Sequence, residues 1–292
     1  MFNPTQIVIQ AFIEELRGAY VQSYGVLEPA YPDIIAFVGR LALENIADSD
    51  AAYHDMNHTI MVTLVGQEIL RGKHTKEGGV TPRDWLHFVI SLLCHDIGYV
   101  RGVCRGDQDG KFVCNEKGDL VDIPPGATDA SMTPYHVTRS KLFVSERFGK
   151  ASLTHIDTLE IQANLEHTRF PVPEHEKHAS TADYPGLLRA ADLIGQLADI
   201  NYLRKTSALF TEFRELASAR SSAIKVLTIY VQRIRCSFGG LSVPISAMHL
   251  DICGSRRKVN SGSPISTPTC FPKSIAERSG PSRSGRQRTR QP

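Results

Sequence analysis

Apolar residues recur every three or four positions over most of the first 215 residues, which is the spacing of amphipathic α-helices. Helices are predicted at 4–46 with a break at Pro29 and Pro32, and at about 54–72, 81–98, 133–149, 154–167 and 187–215. Strand patterns are scarce, although residues 111–123 could form a hairpin that turns at Lys117 and Gly118. The pattern therefore predicts an all-α helical bundle with one long loop at 99–132, which could carry that small β-hairpin.

Composition sets limits on the kind of protein. The chain has 292 residues, of which 41% are hydrophobic and 22% charged, so it can bury a core of one large domain or two small ones. It has no apolar run of membrane-spanning length, and its first residues do not resemble a signal peptide. The six cysteines include no CxxC pair. We therefore expect a reduced, cytoplasmic protein that does not enter membranes.

The charge changes sign towards the end of the sequence. Residues 236–292 contain 9 Lys or Arg but only 2 Asp or Glu, and 26 of the 57 are Ser, Thr, Gly or Pro. This composition is typical of a disordered segment. A basic arm for nucleic acid or anionic lipid is one interpretation, but the scattered arginines favour a non-native end, such as a shifted reading frame would produce. The predicted organisation is N-terminal helices at 1–49, a core domain at 50–215 and a basic tail at 216–292.

Histidines and aspartates carry the candidate chemistry. They follow one another on different predicted helices or helix ends: His58, His95-Asp96, His136, His167 and Asp192. Asp192 lies in an apolar stretch, where a carboxylate without a partner would be costly. Imidazole and carboxylate are ligands for Mn, Fe, Zn or, with water, Mg, and helical bundles can build metal sites from facing helices. The sequence therefore predicts one or two divalent metals per chain.

Three segments resemble the HD-domain metal-dependent phosphohydrolase superfamily. They are YHDMNH at 53–58, CHDIG at 94–98 and RAADLIGQLAD at 189–199. The first is similar to the Tyr-His-Asn-x-x-His motif of cyclic-nucleotide phosphodiesterases, with Asp55 in the Asn position. The further histidine that usually follows His-Asp in that branch is missing, and so is the Gly-Tyr-Pro of the cyclic-dinucleotide branch.

The resemblance implies an α-helical HD domain over roughly residues 50–205. It implies a metal bound by His58, His95, Asp96 and Asp192, with Asp96 bridging to a second metal. In branches with two metals, His136 and His167 take the positions of additional ligands. His54 corresponds to the general acid of the phosphodiesterases. Such metals would activate water and neutralise charge on a phosphate.

Other residues could contact a substrate. Arg139, Lys141 and Arg169 lie close in sequence to the candidate ligands and could hold a phosphate, although a solvated surface role is an equal alternative. Gln196 and Asp199 lie one and two helical turns beyond Asp192 and could line the pocket or support its ligands. The long loop at 99–132 starts directly after His95-Asp96, so we expect it to cover the site and select the substrate.

The sequence thus predicts a hydrolase of a small phosphorylated substrate, with a nucleotide or cyclic nucleotide favoured and nucleic acid disfavoured. Two alternatives stay open. One is a di-iron oxygenase that uses the same ligands on a small substrate, and the other is an HD module that senses without catalysis. The sequence leaves the substrate, the native metal and the oligomeric state undetermined.

Overall fold

The computed structural model describes residues 2–149, 154–175 and 178–219, with side chains as far as Leu216. These residues form eight α-helices and a small hairpin, which confirms the predicted all-α fold. The helices are α1 (Pro4–Tyr24), α2 (Tyr31–Ala47), α3 (Met56–Glu77), α4 (Pro82–Cys94), α5 (His136–Phe148), α6 (Thr158–Glu166), α7 (Tyr184–Ala198) and α8 (Tyr202–Ala219). The antiparallel strands are β1 (Lys111–Val113) and β2 (Leu120–Asp122), and short 3₁₀ helices cover Ile97–Tyr99 and Asp129–Met132.

Side-chain caps explain where several helices begin. Helix α4 starts with a capping box, because Thr81 Oγ1 accepts a hydrogen bond from the Asp84 amide and the Asp84 carboxylate accepts one from the Thr81 amide. Helix α3 starts at Asp55, whose Oδ1 accepts from the His58 amide at 2.8 Å. The predicted third helix therefore begins two residues later than expected. His54 therefore lies before the helix, although the predicted range of 54–72 includes it.

The long helix predicted at 187–215 is two helices, which corrects that expectation. Asp199 leaves the helix with φ −65° and ψ 119°, and its Oδ1 accepts a hydrogen bond from the Asn201 amide at 2.7 Å. Its carbonyl oxygen accepts from the Tyr202 amide at 2.8 Å, at the start of α8. Aspartate favours such local turns because its side chain competes for nearby backbone amides. The break turns the chain after α7, so that α8 can return towards the start of α3.

Helix α4 lies at the centre of the core. All ten residues from Trp85 to Cys94 are buried, and the continuous core around them draws side chains from α1 through α7. Helix α6 runs parallel to α4, because His87 Nε2 accepts from the Asp157 amide at 2.8 Å and Ser91 Oγ accepts from Asn164 Nδ2 at 3.1 Å. The carboxyl ends of both helices therefore lie on the same side of the core.

The long loop at 99–132 contains the predicted hairpin, with its turn at Gly118 in a left-handed conformation (φ 83°). Ion pairs join both ends of this loop to the chain before α3. Arg101 near its start pairs with Asp129 near its end and with Asp50, and the Asp129 amide donates to Asp50 Oδ1 at 2.6 Å. That the 99–132 loop covers the site and selects the substrate stays a prediction.

Two findings concern the remaining sequence predictions. In the described part of the chain, none of the helices is both long enough and apolar enough to span a bilayer. Helix α8 continues to Ala219, past the predicted domain end at 215. The rest of the predicted basic tail lies outside the described residues.

Candidate metal centre

Four of the predicted ligands meet where the start of α3, the end of α4 and the middle of α7 come together. His58 Nε2 lies 3.2 Å from Asp192 Oδ1 and 3.3 Å from Asp96 Oδ2. His95 Nε2 lies 3.0 Å from Asp96 Oδ2 and 3.4 Å from His58 Nε2. All four side chains are buried or nearly so, and the most exposed, that of Asp192, is 17% exposed. We call these four residues the His-Asp cluster.

Local structure aims each of these side chains. Asp55 holds the first turn of α3, on which His58 lies. His95 follows the last residue of α4, and its Nδ1 donates to the Leu92 carbonyl at 2.8 Å, which fixes the ring. Asp192 approaches because α7 packs closely on α3 at Gly195, where an added Cβ would lie 3.0 Å from the Cα of Val62. The sequence thus builds the cluster from one cap, one helix end and one glycine contact.

The cluster has fewer hydrogen atoms than its acceptors need. Asp96 Oδ2 and Asp192 Oδ1 are buried, and neither has a hydrogen-bond partner among the described residues. Because the Nδ1 hydrogen of His95 is engaged with Leu92, a neutral His95 presents the lone pair of Nε2 to these oxygens. Electron-rich atoms that face one another in the interior repel, so the arrangement needs either added protons or a cation.

The pKa values show the same demand for positive charge. Burial alone would lower the pKa of His58, but Asp192 and Asp96 outweigh it and raise the pKa to about 10. Burial would raise the pKa of Asp96, but the neighbouring His95 and His58 hold it well below its usual range. A divalent cation could replace these protons. The ligand atoms of His58, His95 and Asp192 lie within 4.8 Å of one another, so this buried group can hold a metal ion.

His54 lies beside the cluster and is held by a residue that the sequence reasoning missed. Its Nδ1 lies 2.7 Å from Glu212 Oε2, and the other carboxylate oxygen of Glu212 accepts from the Tyr53 amide at 2.6 Å. Burial would lower the pKa of His54, but Glu212 raises it. A signal was present in the sequence, because Glu212 lies on the apolar face of α8 with Leu209 and Phe213.

Tyr99 was also missed, and it links His54 to His136. Its ring stacks on His54 at 4.2 Å and on His136 at 4.4 Å. His136 begins α5, as predicted, and its Nδ1 donates to the Thr133 carbonyl at 2.7 Å. Burial lowers the pKa of His136 to about 4, against the opposing charge of Asp96. His136 is therefore neutral at pH 7, and its Nε2 lone pair is available to a ligand.

Gly98 brings α5 to the His-Asp cluster. An added Cβ would lie 1.9 Å from the His136 carbonyl oxygen, so only glycine allows this approach of the two backbones. The Gly98 amide donates to Ser140 Oγ, and Ser140 Oγ donates to the His95 carbonyl, each at 2.9 Å. The turn after His95 is thereby fixed against α5.

The comparisons with known proteins give one match. The family described as Npun_R2479-like matches residues 2–229. The chain belongs to this Npun_R2479-like family. No curated protein and no solved structure matches it. The matched range of this Npun_R2479-like protein contains every described helix, the His-Asp cluster, His54 and Glu212.

The remaining predicted ligand, His167, ends α6 as expected, but the structure does not bring it into the His-Asp cluster. Its ring lies 4.8 Å from that of His178, and its Nδ1 is buried without a hydrogen-bond partner in the described part of the chain. That His167 is a ligand of a second metal therefore stays a prediction.

Arg139 has a structural role, which corrects its prediction as a phosphate-binding residue. The side chain is fully buried, and its guanidinium pairs with both oxygens of Asp107 at 2.9 Å. The remaining hydrogen bonds go to the carbonyls of Gly98, Val100 and Val113 at 2.7–2.8 Å. In this Npun_R2479-like chain the arginine therefore fastens the long loop and has no donor left for a substrate.

Lys141 and Arg169 lie close to each other. Both pair with Glu166, which precedes His167, and Lys141 also contacts Glu116 at 3.1 Å. Arg169 Nη2 donates to Thr138 Oγ1 at 2.9 Å. Burial would raise the pKa of Glu166, but these two cations lower it. They form a partly exposed pair of positive charges, and their contact with a phosphate stays a prediction.

Gln196 and Asp199 also stay predictions as residues that line the site. Gln196 is partly buried on α7. Asp199 ends that helix, and its Oδ2 pairs with Lys205 at 2.9 Å, while Lys205 also lies 3.5 Å from Asp55. Burial would raise the pKa of Asp199, but Lys205, the Asn201 amide and His58 lower it. Asp199 is thus close enough to His58 for their charges to interact.

Proposed function

We propose that this protein is a metal-dependent hydrolase of a phosphoester, with a nucleotide or cyclic nucleotide as the favoured substrate. The observation that carries the proposal is the convergence of two imidazole nitrogens on two buried carboxylate oxygens that lack hydrogen-bond partners. This donor set suits a borderline divalent ion such as Mn, Fe or Zn. The resemblance of the 53–58, 94–98 and 189–199 segments to HD-domain phosphohydrolases supports the same conclusion.

His58, His95, Asp96 and Asp192 would hold the ion, and His136 is available as a ligand for a second one. A bound divalent ion supplies water activation at neutral pH and neutralises charge that develops on phosphate oxygens. Because its pKa is depressed, His136 offers a lone pair instead of a proton. The chain's own contribution is to place these groups in an interior with little water, where their charges act strongly.

His54 would give a proton to the leaving oxygen. The Glu212 carboxylate raises the pKa of His54 against the effect of burial, which favours the protonated imidazole that a general acid requires. Glu212 binds Nδ1, which orients the ring and leaves Nε2 directed to its other side, 3.4 Å from the Tyr99 hydroxyl. The side chain is 14% exposed, so it can meet a substrate without being fully solvated.

The first test combines metal content with an activity panel. Elemental analysis of the purified full chain should show one or two divalent metals, and Asp96→Asn should lower the metal content. The variant should also lose at least about 100-fold in turnover of phosphomonoesters or cyclic nucleotides. Asp122→Asn changes an exposed carboxylate in the hairpin and serves as the matched control.

Other outcomes would redirect or end the proposal. Bound iron with substrate-dependent oxygen consumption, and no phosphate release, would favour the oxygenase alternative. Failure of Mn, Fe and Zn to bind the folded wild-type chain would contradict the metal centre itself. Equal metal content in wild type and Asp96→Asn would remove Asp96 from the ligand set.

A further inference from the structure

His167 and His178 form a second histidine group outside the His-Asp cluster. His167 is 7% exposed at the end of α6, and the two rings lie 4.8 Å apart with their planes at 30°. The Nδ1 atoms of both rings are buried, and neither has a hydrogen-bond partner among the described residues. This pair is therefore unsatisfied, and neither ring belongs to the group of ligand atoms that His58, His95 and Asp192 form.

Surrounding contacts hold the pair in place without satisfying it. Arg189 on α7 donates one hydrogen bond to the His178 carbonyl at 2.9 Å and another to the Ser180 carbonyl at 3.1 Å. This arginine places positive charge near the rings. Burial, followed by the charges of His178 and Arg189, lowers the pKa of His167, while Asp183 opposes them. The lowered pKa favours the form of His167 whose ring offers a lone pair.

A buried polar atom without a partner costs free energy, and here two such atoms belong to neighbouring rings. An imidazole Nδ1 that carries no hydrogen offers a lone pair, and one acceptor of electron pairs can serve two such atoms. Borderline divalent ions, with zinc foremost, take imidazole nitrogens and complete their coordination with water or a further ligand.

We propose that His167 and His178 together bind a zinc-like divalent cation at a site separate from the His-Asp cluster. This ion would fasten the segment after α6 to the end of that helix. The segment leads into α7, which carries Asp192, so the second ion would stabilise the part of the chain that delivers one ligand to the first. The inference concerns binding only and does not rest on the proposed hydrolase activity.

The test measures zinc stoichiometry on the full chain. Wild type, His178→Gln, His167→Gln, Asp192→Asn and the His178→Gln/Asp192→Asn double variant are stripped with chelator, dialysed against zinc and measured by elemental analysis. His178→Gln and His167→Gln should each bind one zinc fewer than wild type, and the double variant should lose the zinc of both sites. His155→Gln removes an exposed histidine and is the matched control. Circular dichroism confirms that each variant is folded.

Hydrogen exchange provides a second readout that does not need activity. Zinc should slow exchange of the amides at 168–175 in wild type and in Asp192→Asn, but not in His178→Gln. The proposal is overturned if His178→Gln binds as much zinc as wild type. It is also overturned if only His167→Gln loses zinc, since His167 would then serve the His-Asp cluster. Loss of zinc in Asp192→Asn alone would support the site at the His-Asp cluster and reject the site at His167 and His178.

Discussion

Two buried polar groups meet the same turn at residues 95–98, and they differ in one respect. The Arg139 guanidinium and the Asp107 carboxylate are paired twice, and the remaining guanidinium donors reach three backbone carbonyls. Asp107 also accepts hydrogen bonds from the amides of Gly102, Cys104 and Val113. The His-Asp cluster, by contrast, leaves one oxygen of Asp96 and one of Asp192 without a donor.

This difference distinguishes a group with a structural role from a group that can bind a ligand. A buried ion pair whose hydrogen bonds are complete has nothing left to offer a ligand, so Arg139 and Asp107 serve the fold. Lone pairs that converge without donors are costly unless something positive joins them. Charge and burial are similar in the two groups. Satisfaction of hydrogen bonds, which the sequence does not display, is what distinguishes the scaffold from the candidate metal centre.

The largest effect on the free energy of unfolding is expected at the ion pair of Arg139 and Asp107, whose hydrogen bonds are complete. Arg139→Met should reduce the free energy of unfolding by about 3–5 kcal/mol, because it leaves the Asp107 carboxylate buried without its cation. Urea unfolding followed by circular dichroism measures this change. Arg40→Met, which removes a surface guanidinium, should change stability by less than about 0.5 kcal/mol. Similar losses in both variants would contradict the structural role of the buried pair.

The second prediction is that bound metal stabilises the chain through the His-Asp cluster and not through the Arg139–Asp107 pair. Saturating the wild-type chain with Mn, which suits the carboxylates of the His-Asp cluster better than the two imidazoles of His167 and His178, at about 100 times the dissociation constant should add about 2.7 kcal/mol to the free energy of unfolding. Asp192→Asn should lose most of this increment, because the ion would lack one carboxylate. Arg139→Met should keep the increment if the variant still folds. An equal increment in Asp192→Asn and wild type would show that the ion binds elsewhere.

The third prediction concerns protons beside the cluster. Glu212→Gln should lower the pKa of His54, because burial lowers it and the opposing carboxylate is gone. The raised pKa means that His54 contributes stability below its unfolded pKa, and that this contribution is lost as pH rises through the folded pKa. The variant should therefore be less stable than wild type at acidic pH, and the difference should shrink as pH rises.

NMR titration of the histidine ring protons measures the pKa of His54 directly. Glu215→Gln is the matched control, because Glu215 lies on the same helix but binds Thr128 instead of His54. An unchanged His54 titration in Glu212→Gln would exclude Glu212 as the residue that orients the candidate acid.

The sequence predicted most of the fold and singled out the four residues of the His-Asp cluster for clear reasons. Helical periodicity and the cap at Thr81 are local, and so is the adjacency of His95 and Asp96. The contacts that were missed join distant positions. Glu212 lies 158 residues from His54, and nothing local pairs them. Arg139 was misassigned because its partners come from a loop whose path the sequence does not fix.

Helix boundaries show the same limit on a smaller scale. Asp199 was read as the continuation of an amphipathic helix, since periodicity carries on through it. Its side chain instead captures the Asn201 amide and starts a new helix. The helix predicted at 54–72 includes His54, but Asp55 caps the helix after it. Competing side-chain caps therefore decide boundaries that periodicity alone cannot.

The smallest predicted effect tests how closely the cluster depends on helix packing. Gly195→Ala places a methyl group 2.9–3.1 Å from the side chain and backbone of Val62, so α7 must move away from α3. We expect a loss of about 1 kcal/mol, and a weaker metal affinity because Asp192 moves with α7. Gly72→Ala on the exposed side of α3 meets no atom within 4 Å and should instead stabilise by about 0.4–1 kcal/mol. Thermal unfolding and metal titration of both variants distinguish the two cases. Unchanged metal affinity in Gly195→Ala would mean that the His-Asp cluster tolerates a shift of α7. His58, His95 and Asp96 would then hold the ion largely without Asp192.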